Sequence, residues 1–354
     1  MTTEVRVALI GYGLAGACFH APTIAATPGL TLATIVTASP ERGERARREH
    51  PMARVVDRVD AVFAHPSGHD LVVVATPNST HVPLALAALA AGQAVVVDKP
   101  FAPTAEEARR VVAEARRRGL FLSVYHQRRW DSDTLTLRRL IAEGTLGDIL
   151  RFESRFERWR PVPNRGWRES DARDDAGGLL YDLGSHLVDQ ALHLFGPVVR
   201  VYAELDCRRP GVAVDDDVFL ALTHAAGVRS HLWVSVLAGQ LGPRMRALGT
   251  RAAYVKLHSD GQEAALLAGG RPARPDWGVE PRPRWGLPGV GDKASRVRSE
   301  PGAYQRYYAG VVASLRHGAP PPVDPDEAVA GLEIIAAAQR SAAGHETVTL
   351  PAAR

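Results

Sequence analysis

Val5-Arg6-Val7-Ala8-Leu9-Ile10, followed by Gly11-Tyr12-Gly13-Leu14-Ala15-Gly16, is the stretch that decides the fold. A short apolar strand enters a GxGxxG turn, and the residues after it, to about position 26, have helical composition. Three glycines alone say little, but between a first strand and a helix they form the dinucleotide-binding fingerprint. Gly11 permits the tight turn, Gly13 lets the main chain approach a pyrophosphate, and Gly16 allows close packing of helix on strand. The phosphates then meet free amides at the positive end of the helix. Tyr12 and Leu14 lie in the same turn and are assigned to the cofactor site with it.

Outward from this turn, strands and helices alternate. Strands are expected at residues 30–37, 55–56, 71–75, 94–97 and 121–125, and helices at 40–49, 82–91 and 105–118. Thr104 caps the last helix with Glu107 at capping-box spacing, and Gly119 ends it. Strands separated by helices imply a parallel, doubly wound sheet, an α/β Rossmann domain over residues 1–129. From residue 130 to 354 the rhythm changes. One helix at 133–143 and one at 179–195 accompany runs of strand composition at 149–157, 198–207, 217–225, 228–236, 244–249 and 253–257. Hairpin-length links between most of them point to an α+β domain with an open, mostly antiparallel sheet. Helices at 304–316 and 325–342 close the chain, and the Pro-, Arg- and Gly-rich stretch 269–302 is expected as a long loop.

A length of 354 residues favours two domains, and 45% hydrophobic residues suffice for ordinary cores. The net charge of +4 is mild, and no basic stripe interleaved with aromatics appears, so nucleic acid is not an expected partner. No apolar run reaches the roughly 18 residues of a membrane span. Met1-Thr2-Thr3-Glu4 runs straight into a strand rather than a signal peptide, and Cys18 and Cys207 suit reduced thiols. A cytoplasmic enzyme is expected. Of 43 basic residues only Lys99, Lys256 and Lys293 are lysines, so each is a place where a compact ammonium is wanted rather than a guanidinium fork.

The end of the second strand selects the cofactor. An acid there takes the ribose 2′-hydroxyl of NAD. This chain has Val36-Thr37-Ala38-Ser39-Pro40-Glu41-Arg42, with the hydroxyls of Thr37 and Ser39 in place of the acid and with Arg42 and Arg45 close by for a 2′-phosphate. NADP is favoured and NAD remains possible; solvent-facing arginines are the plain alternative. Thr76-Pro77-Asn78 follows another buried strand at its carboxyl end and is expected to line the dinucleotide site. His81 opens the next helix as a cap-region or cleft residue.

Asp98-Lys99-Pro100 ends a further parallel strand on the same rim, where a lysine can polarise a carbonyl or hydroxyl oxygen; a surface ion pair with Asp98 is the alternative. In Gly177-Gly178-Leu179-Leu180-Tyr181-Asp182-Leu183-Gly184-Ser185-His186-Leu187-Val188-Asp189, Asp182 and His186 share a helix face at i, i+4. Histidine suits proton transfer near neutral pH, and a neighbouring carboxylate can orient it. A metal site of His186, Asp189 and His193, or a structural histidine, would use the same residues; no metal is expected, because hydride transfer needs none.

The glycine turn, Asp-Lys-Pro after a strand and the GGxxxDxGxHxxD helix, in this order, resemble the Gfo/Idh/MocA oxidoreductase family over essentially the whole chain. Residues 123–131, Trp167-Arg168-Glu169, residues 181–196 and Asp260-Gly261-Gln262-Glu263 are most similar to its NADP-dependent scyllo-inositol dehydrogenase branch. The resemblance implies an NAD(P)-binding Rossmann domain and an open-sheet substrate-binding and oligomerisation domain, giving a homodimer or homotetramer. It assigns Lys99 to the reacting oxygen, Asp182 to substrate binding and His186 to acid–base work. It places Asp98, Gln127, Trp167 and Arg168 toward the cofactor, and Gln127 also toward the substrate. Tyr304 borders the substrate or simply packs. Asp98 stands where Glu is commoner, and Ser39 where the most similar members can carry Arg. The implied reaction passes a hydride between a secondary alcohol of a cyclic polyol, scyllo-inositol foremost, and the nicotinamide. An aldose or keto-sugar dehydrogenase or reductase is the alternative. A dinucleotide-binding, sugar-sensing regulator is the non-enzyme alternative, and it has no need of Lys99 or His186.

Overall fold

A computed structural model describes residues 4–163 and 176–351. The chain divides into two compact units: Met1–Gln127 with Gln262–Trp277 and Ala303–Val329, and Arg128–Gly261 with Gly278–Gly302 and Ala330–Arg354.

In the first unit, strands β1 (Val5–Ile10), β2 (Leu30–Val36), β3 (Arg54–Val56), β4 (Leu71–Val74), β5 (Ala94–Asp98) and β6 (Leu122–Tyr125) form one parallel sheet. Its order is β3-β2-β1-β4-β5-β6, the Rossmann arrangement. Val72, Val73, Val95 and Val96 are fully buried, as continuous apolar strands covered on both faces must be. Between the strands run a π-wound segment (Ala15–His20) leading into α1 (Ala21–Ala25), then α2 (Pro40–Glu49), α3 (Asp60–Phe63), α4 (His81–Ala90) and α5 (Ala105–Arg118). Thr104 Oγ1 accepts the amide hydrogen of Glu107 at 3.2 Å, and Gly119 leaves α5 with φ +65°, so both ends stop where the sequence places them. Ile10 pairs with Val36 and Val74, and Val74 with Val97. Gly11, Thr37, Thr76 and Lys99 therefore leave the sheet side by side at its carboxyl edge, where the winding reverses between β1 and β4. Ligands of such sheets bind at that switch point.

The second unit holds β7 (Ile149–Glu157), β8 (Val198–Asp206), β9 (Asp217–His224), β10 (Arg229–Ser235), β11 (Met245–Gly249), β12 (Ala253–Lys256), β13 (Leu287–Gly289) and β14 (Val348–Thr349). Their order is β13-β12-β11-β7-β10-β9-β8-β14. Only β7 and β10 run parallel among these pairs, giving the open, mostly antiparallel sheet that alternation predicts. On β10, Ser230, Leu232 and Val234 are buried and the residues between them are not. The helices are α6 (Ser132–Ala142) and α7 (Ser185–Phe195), the latter packed on β7 and β10. Two short returns, α8 (Gln262–Leu267) and α9 (Gln305–His317), belong to the first unit, and α10 (Pro325–Gly344) closes the chain.

The stretch 269–302 is mostly turns and irregular chain, but it is tied to the sheet. It contributes edge strand β13, and its Glu280 holds Lys256, whose ammonium is fully buried and also donates to the Arg284 carbonyl at 2.6 Å. Trp285 donates its indole hydrogen to the Glu280 carbonyl at 3.0 Å. Local composition hid this order, because a three-residue strand containing Pro and Gly exists only through its partner strand. The six residues of α8 are likewise too short to show a helical period.

Candidate active site

The glycine turn is made by contacts that forbid side chains. Gly11 has φ +101°, and a Cβ there would strike the Ala75 carbonyl at the end of β4. A Cβ on Gly16 would strike the Gly11 carbonyl oxygen. Gly13 differs: among the described residues the only atom near its absent Cβ is Arg42 Nη1, at 3.8 Å. A ligand pyrophosphate fits this open, positively flanked turn. The Tyr12 side chain points away from it, 2% exposed, and donates its hydroxyl to Glu49 Oε2 at 2.7 Å, so only the Tyr12 main chain faces the turn. Leu14 is half exposed. Ser39 Oγ accepts the Arg42 amide hydrogen at 3.3 Å, so this hydroxyl caps α2. Thr37 donates its amide hydrogen to the Val56 carbonyl. Arg45 is bound to Glu49 at 2.8 Å, which leaves Arg42 as the guanidinium over the turn.

At the ends of β4 and β5 the loops are locked together. His81 is buried, with Nδ1 2.9 Å from the Pro100 carbonyl and Nε2 3.0 Å from the Thr76 carbonyl. Burial lowers its pKa from the usual histidine range, against the opposing pull of the Asp98 charge and of the two carbonyls, and the ring ties the two loops together. Thr80 Oγ1 lies 2.7 Å from both the Thr76 hydroxyl and the Pro77 carbonyl. Asn78 is buried in the same turn. The Asp98 carboxylate turns inward. Its Oδ1 accepts the Lys99 amide hydrogen at 2.9 Å and lies 3.5 Å from His20 Nε2. Burial alone would raise the Asp98 pKa. The contact with His20 and the charges of Lys99 and His81 outweigh it and hold the group below the ordinary carboxylate range. Gln127 is buried, and its Oε1 has no hydrogen-bond partner among the described residues, leaving an acceptor for a ligand amide or hydroxyl. Tyr304 is fully buried at the start of α9, its amide donating to Gln262 Oε1 at 2.9 Å.

Of the three lysines, Lys256 is consumed by its buried pair and Lys293 lies exposed in a short turn. Lys99 alone stands at the carboxyl edge of the parallel sheet.

In the second unit, Asp182 and His186 sit where a π-wound turn (Leu180–Gly184) runs into α7. Such turns are rare and gather at functional sites. Asp182 is half-buried; His186 is 3% exposed, its ring edge-on to Phe156 with centroids 6.4 Å apart. Phe156 also carries the Arg244 guanidinium at 4.1 Å and that of Arg128 at 4.7 Å. Arg244 is fixed by Ser154, Gln190 and Asp133, so this wall is stiff. Asp189 is committed to Arg129 through bonds of 2.6 to 3.1 Å. His193 is held neutral by burial, its pKa pushed down to about 4. Trp167 and Arg168 lie outside the described residues.

The helix bearing Asp182 and His186 is pinned at its start by Asp215. The Leu180 amide donates to Asp215 Oδ2 at 2.6 Å and the Leu179 amide to the Asp215 carbonyl at 2.9 Å. Gly178, with φ +90°, leaves no room for a Cβ beside that carboxylate. Burial pushes the Asp215 pKa up from 3.8 to about 6. The folded state then binds this proton more tightly than the unfolded chain, so its contribution to stability declines as pH rises from about 4 to about 6. Asp215→Asn is expected to flatten that decline in thermal melts taken across the window. Asp215→Ala, lacking the acceptor, should cost about 1–2 kcal/mol at any pH.

Sequence reasoning missed His20, Glu49 and Asp215. His20 appears as a lone histidine in the apolar run Ala17-Cys18-Phe19-His20-Ala21, and nothing local names its partners. Glu49 and Asp215 read as ordinary surface acids.

Comparison with known proteins places both units. Residues 5–126 match the family model of the oxidoreductase family with NAD-binding Rossmann fold, and residues 134–255 match the GFO/IDH/MocA C-terminal domain. The oxidoreductase YdgJ of Escherichia coli K12 is 41% identical over 354 residues, covering 99% of this chain and 100% of the relative. The scyllo-inositol 2-dehydrogenase (NADP(+)) IolW of Bacillus subtilis is 35% identical over 350 residues, covering 98% and 96%. The structure of the Bacillus subtilis oxidoreductase YvaA superposes with a TM-score of 0.93 at 34% identity, covering 99% of each chain. Among the described residues no helix is long and apolar enough to cross a membrane.

Proposed function

Because the chain belongs to the Gfo/Idh/MocA oxidoreductases, we propose that it oxidises a secondary alcohol of a cyclic polyol, scyllo-inositol foremost, with NADP as the electron acceptor, or reduces the ketone by the reverse path. The observation that carries this reading is its similarity over 98% of its length to an NADP-dependent scyllo-inositol dehydrogenase, in a chain that has Lys99, Asp182 and His186.

Gly11, Gly13 and Gly16 would hold the pyrophosphate, Arg42 the 2′-phosphate, and Gln127 with Asn78 the nicotinamide end. The bound nicotinamide supplies the two-electron acceptor. His186 takes the hydroxyl proton, Lys99 stabilises the charge developing on the same oxygen, and Asp182 holds a neighbouring hydroxyl. The open face of the second unit's sheet carries half-buried Phe219, His231 and Trp233, with Arg155 stacked 3.9 Å from Trp233. A second copy of the chain covering that face would give the homodimer or homotetramer.

A nicotinamide-absorbance assay with both cofactors against inositols and aldoses tests the reading. Turnover is expected with scyllo-inositol and NADP; turnover with aldoses alone selects the sugar dehydrogenase, and none with any of them sinks both. Removing one charge-assisted hydrogen bond costs about 1.5–3 kcal/mol. Arg42→Ala is thus expected to raise KM for NADP roughly 10- to 100-fold while leaving KM for NAD within about twofold.

A further inference from the structure

We propose that His20 is a positioning residue for Lys99, acting through Asp98 and itself held by Tyr308. His20 ends the π-wound segment that begins just after the glycine turn, and it is completely buried. Tyr125 packs on its ring with centroids 4.1 Å apart. Its Nδ1 lies 2.6 Å from the Tyr308 hydroxyl, and its Nε2 is 3.5 Å from Asp98 Oδ1. That same oxygen accepts the Lys99 amide hydrogen. Burial pushes the Tyr308 pKa well above the phenol range, so its hydroxyl keeps its proton and can donate it to Nδ1. The tautomer that accepts this bond carries its hydrogen on Nε2, facing Asp98.

A chain thus runs from α9 through the first helix to the end of β5, and it fixes the peptide on which Lys99 is mounted. Asp98 also faces His81 from α4, but that ring is already spent on two carbonyls. Without His20, the carboxylate loses the group that aims it, and the Lys99 peptide loses its fixed acceptor. A misplacement of about 1 Å can cost of the order of 100-fold in rate. The helix that ends in His20 begins at the cofactor turn, so docking of the dinucleotide and placement of Lys99 share one rigid element.

The inference rests on the reading that Lys99 contacts the reacting oxygen. Its test compares Tyr308→Phe, which removes a single hydroxyl, with His20→Leu and His20→Gln, using full-length protein, NADPH and scyllo-inositol with NADP. Expected are melting temperatures within a few degrees of the parent, NADPH Kd by fluorescence within twofold, and polyol KM little changed. With these, kcat falls about tenfold in Tyr308→Phe and further in His20→Leu, while His20→Gln, whose side-chain amide can reach Asp98, recovers most of the loss. Unchanged kcat in Tyr308→Phe and His20→Leu overturns the inference. So does a loss of kcat that tracks a weakened NADPH Kd and a lowered melting temperature, which marks a merely structural role. Lys99→Met measured alongside separates the two levels. If it turns over normally, the reading of Lys99 itself fails; if it is inactive while the other variants are not, only the role of His20 fails.

Discussion

His186→Ala is expected to lower turnover about 10²–10⁴-fold, the ordinary contribution of a positioned acid–base group, with the NADPH Kd unchanged. His186 stands on α7, whose start is pinned by Asp215. Its ring meets Phe156, and Phe156 in turn packs against the guanidinium groups of Arg128 and Arg244. A histidine only 3% exposed has few rotamers open to it, so its ring is held in place before any ligand arrives. If His186 is the proposed acid–base group, the loss should fall on kcat, because alanine then removes a group used in the transition state and leaves the glycine turn of the first unit untouched. Lys99→Met, which removes the charge proposed to stabilise the developing alkoxide, should cost roughly 10²–10³-fold by the same measurement. Normal turnover in His186→Ala would sink the acid–base assignment and favour a structural histidine.

The second large effect concerns stability. Lys256→Ala is expected to destabilise the second unit by about 3–5 kcal/mol in urea denaturation, since it strands Glu280 as an uncompensated charge in the interior. Lys256 is fully buried and Glu280 nearly so. The ammonium also joins β12 to the Arg284 carbonyl, and it thereby anchors the segment that supplies β13. Replacing both partners with apolar residues, as in Lys256→Met with Glu280→Leu, should recover most of the loss, because the penalty arises from the unpaired charge rather than from absence of the pair. If Lys256→Ala unfolds at the parent's midpoint, water reaches the site and the pair is not a buried one. A loss of stability in Lys256→Ala would separate the lysines, with Lys256 serving the fold and Lys99 left for the proposed reaction.

The sequence by itself determined the local physics. The period of its apolar residues placed nearly every strand and helix of both units. Gly11 and Gly16 could be recognised because the turn that needs them is complete within a dozen residues. The spacing of Asp182 and His186 likewise fixed their common helix, since i, i+4 is a local relation. Thr104 with Glu107 marked a helix start for the same reason. Tertiary structure alone decided the rest. The Ser39 hydroxyl caps α2, Arg45 pairs with Glu49, and Arg42 lies over Gly13. The partner of Asp98 is a histidine from the first helix, 78 positions away, and that histidine's own partner lies 288 residues further along. The acid that pins the start of the His186 helix lies in the link before β9. Residues 269–302 gained their order from Lys256 and from strand β12. Such partners leave no trace in periodicity or spacing. A buried charge or an edge strand is stable only against the particular group that folding brings beside it, and that choice is made over distances the local sequence does not encode.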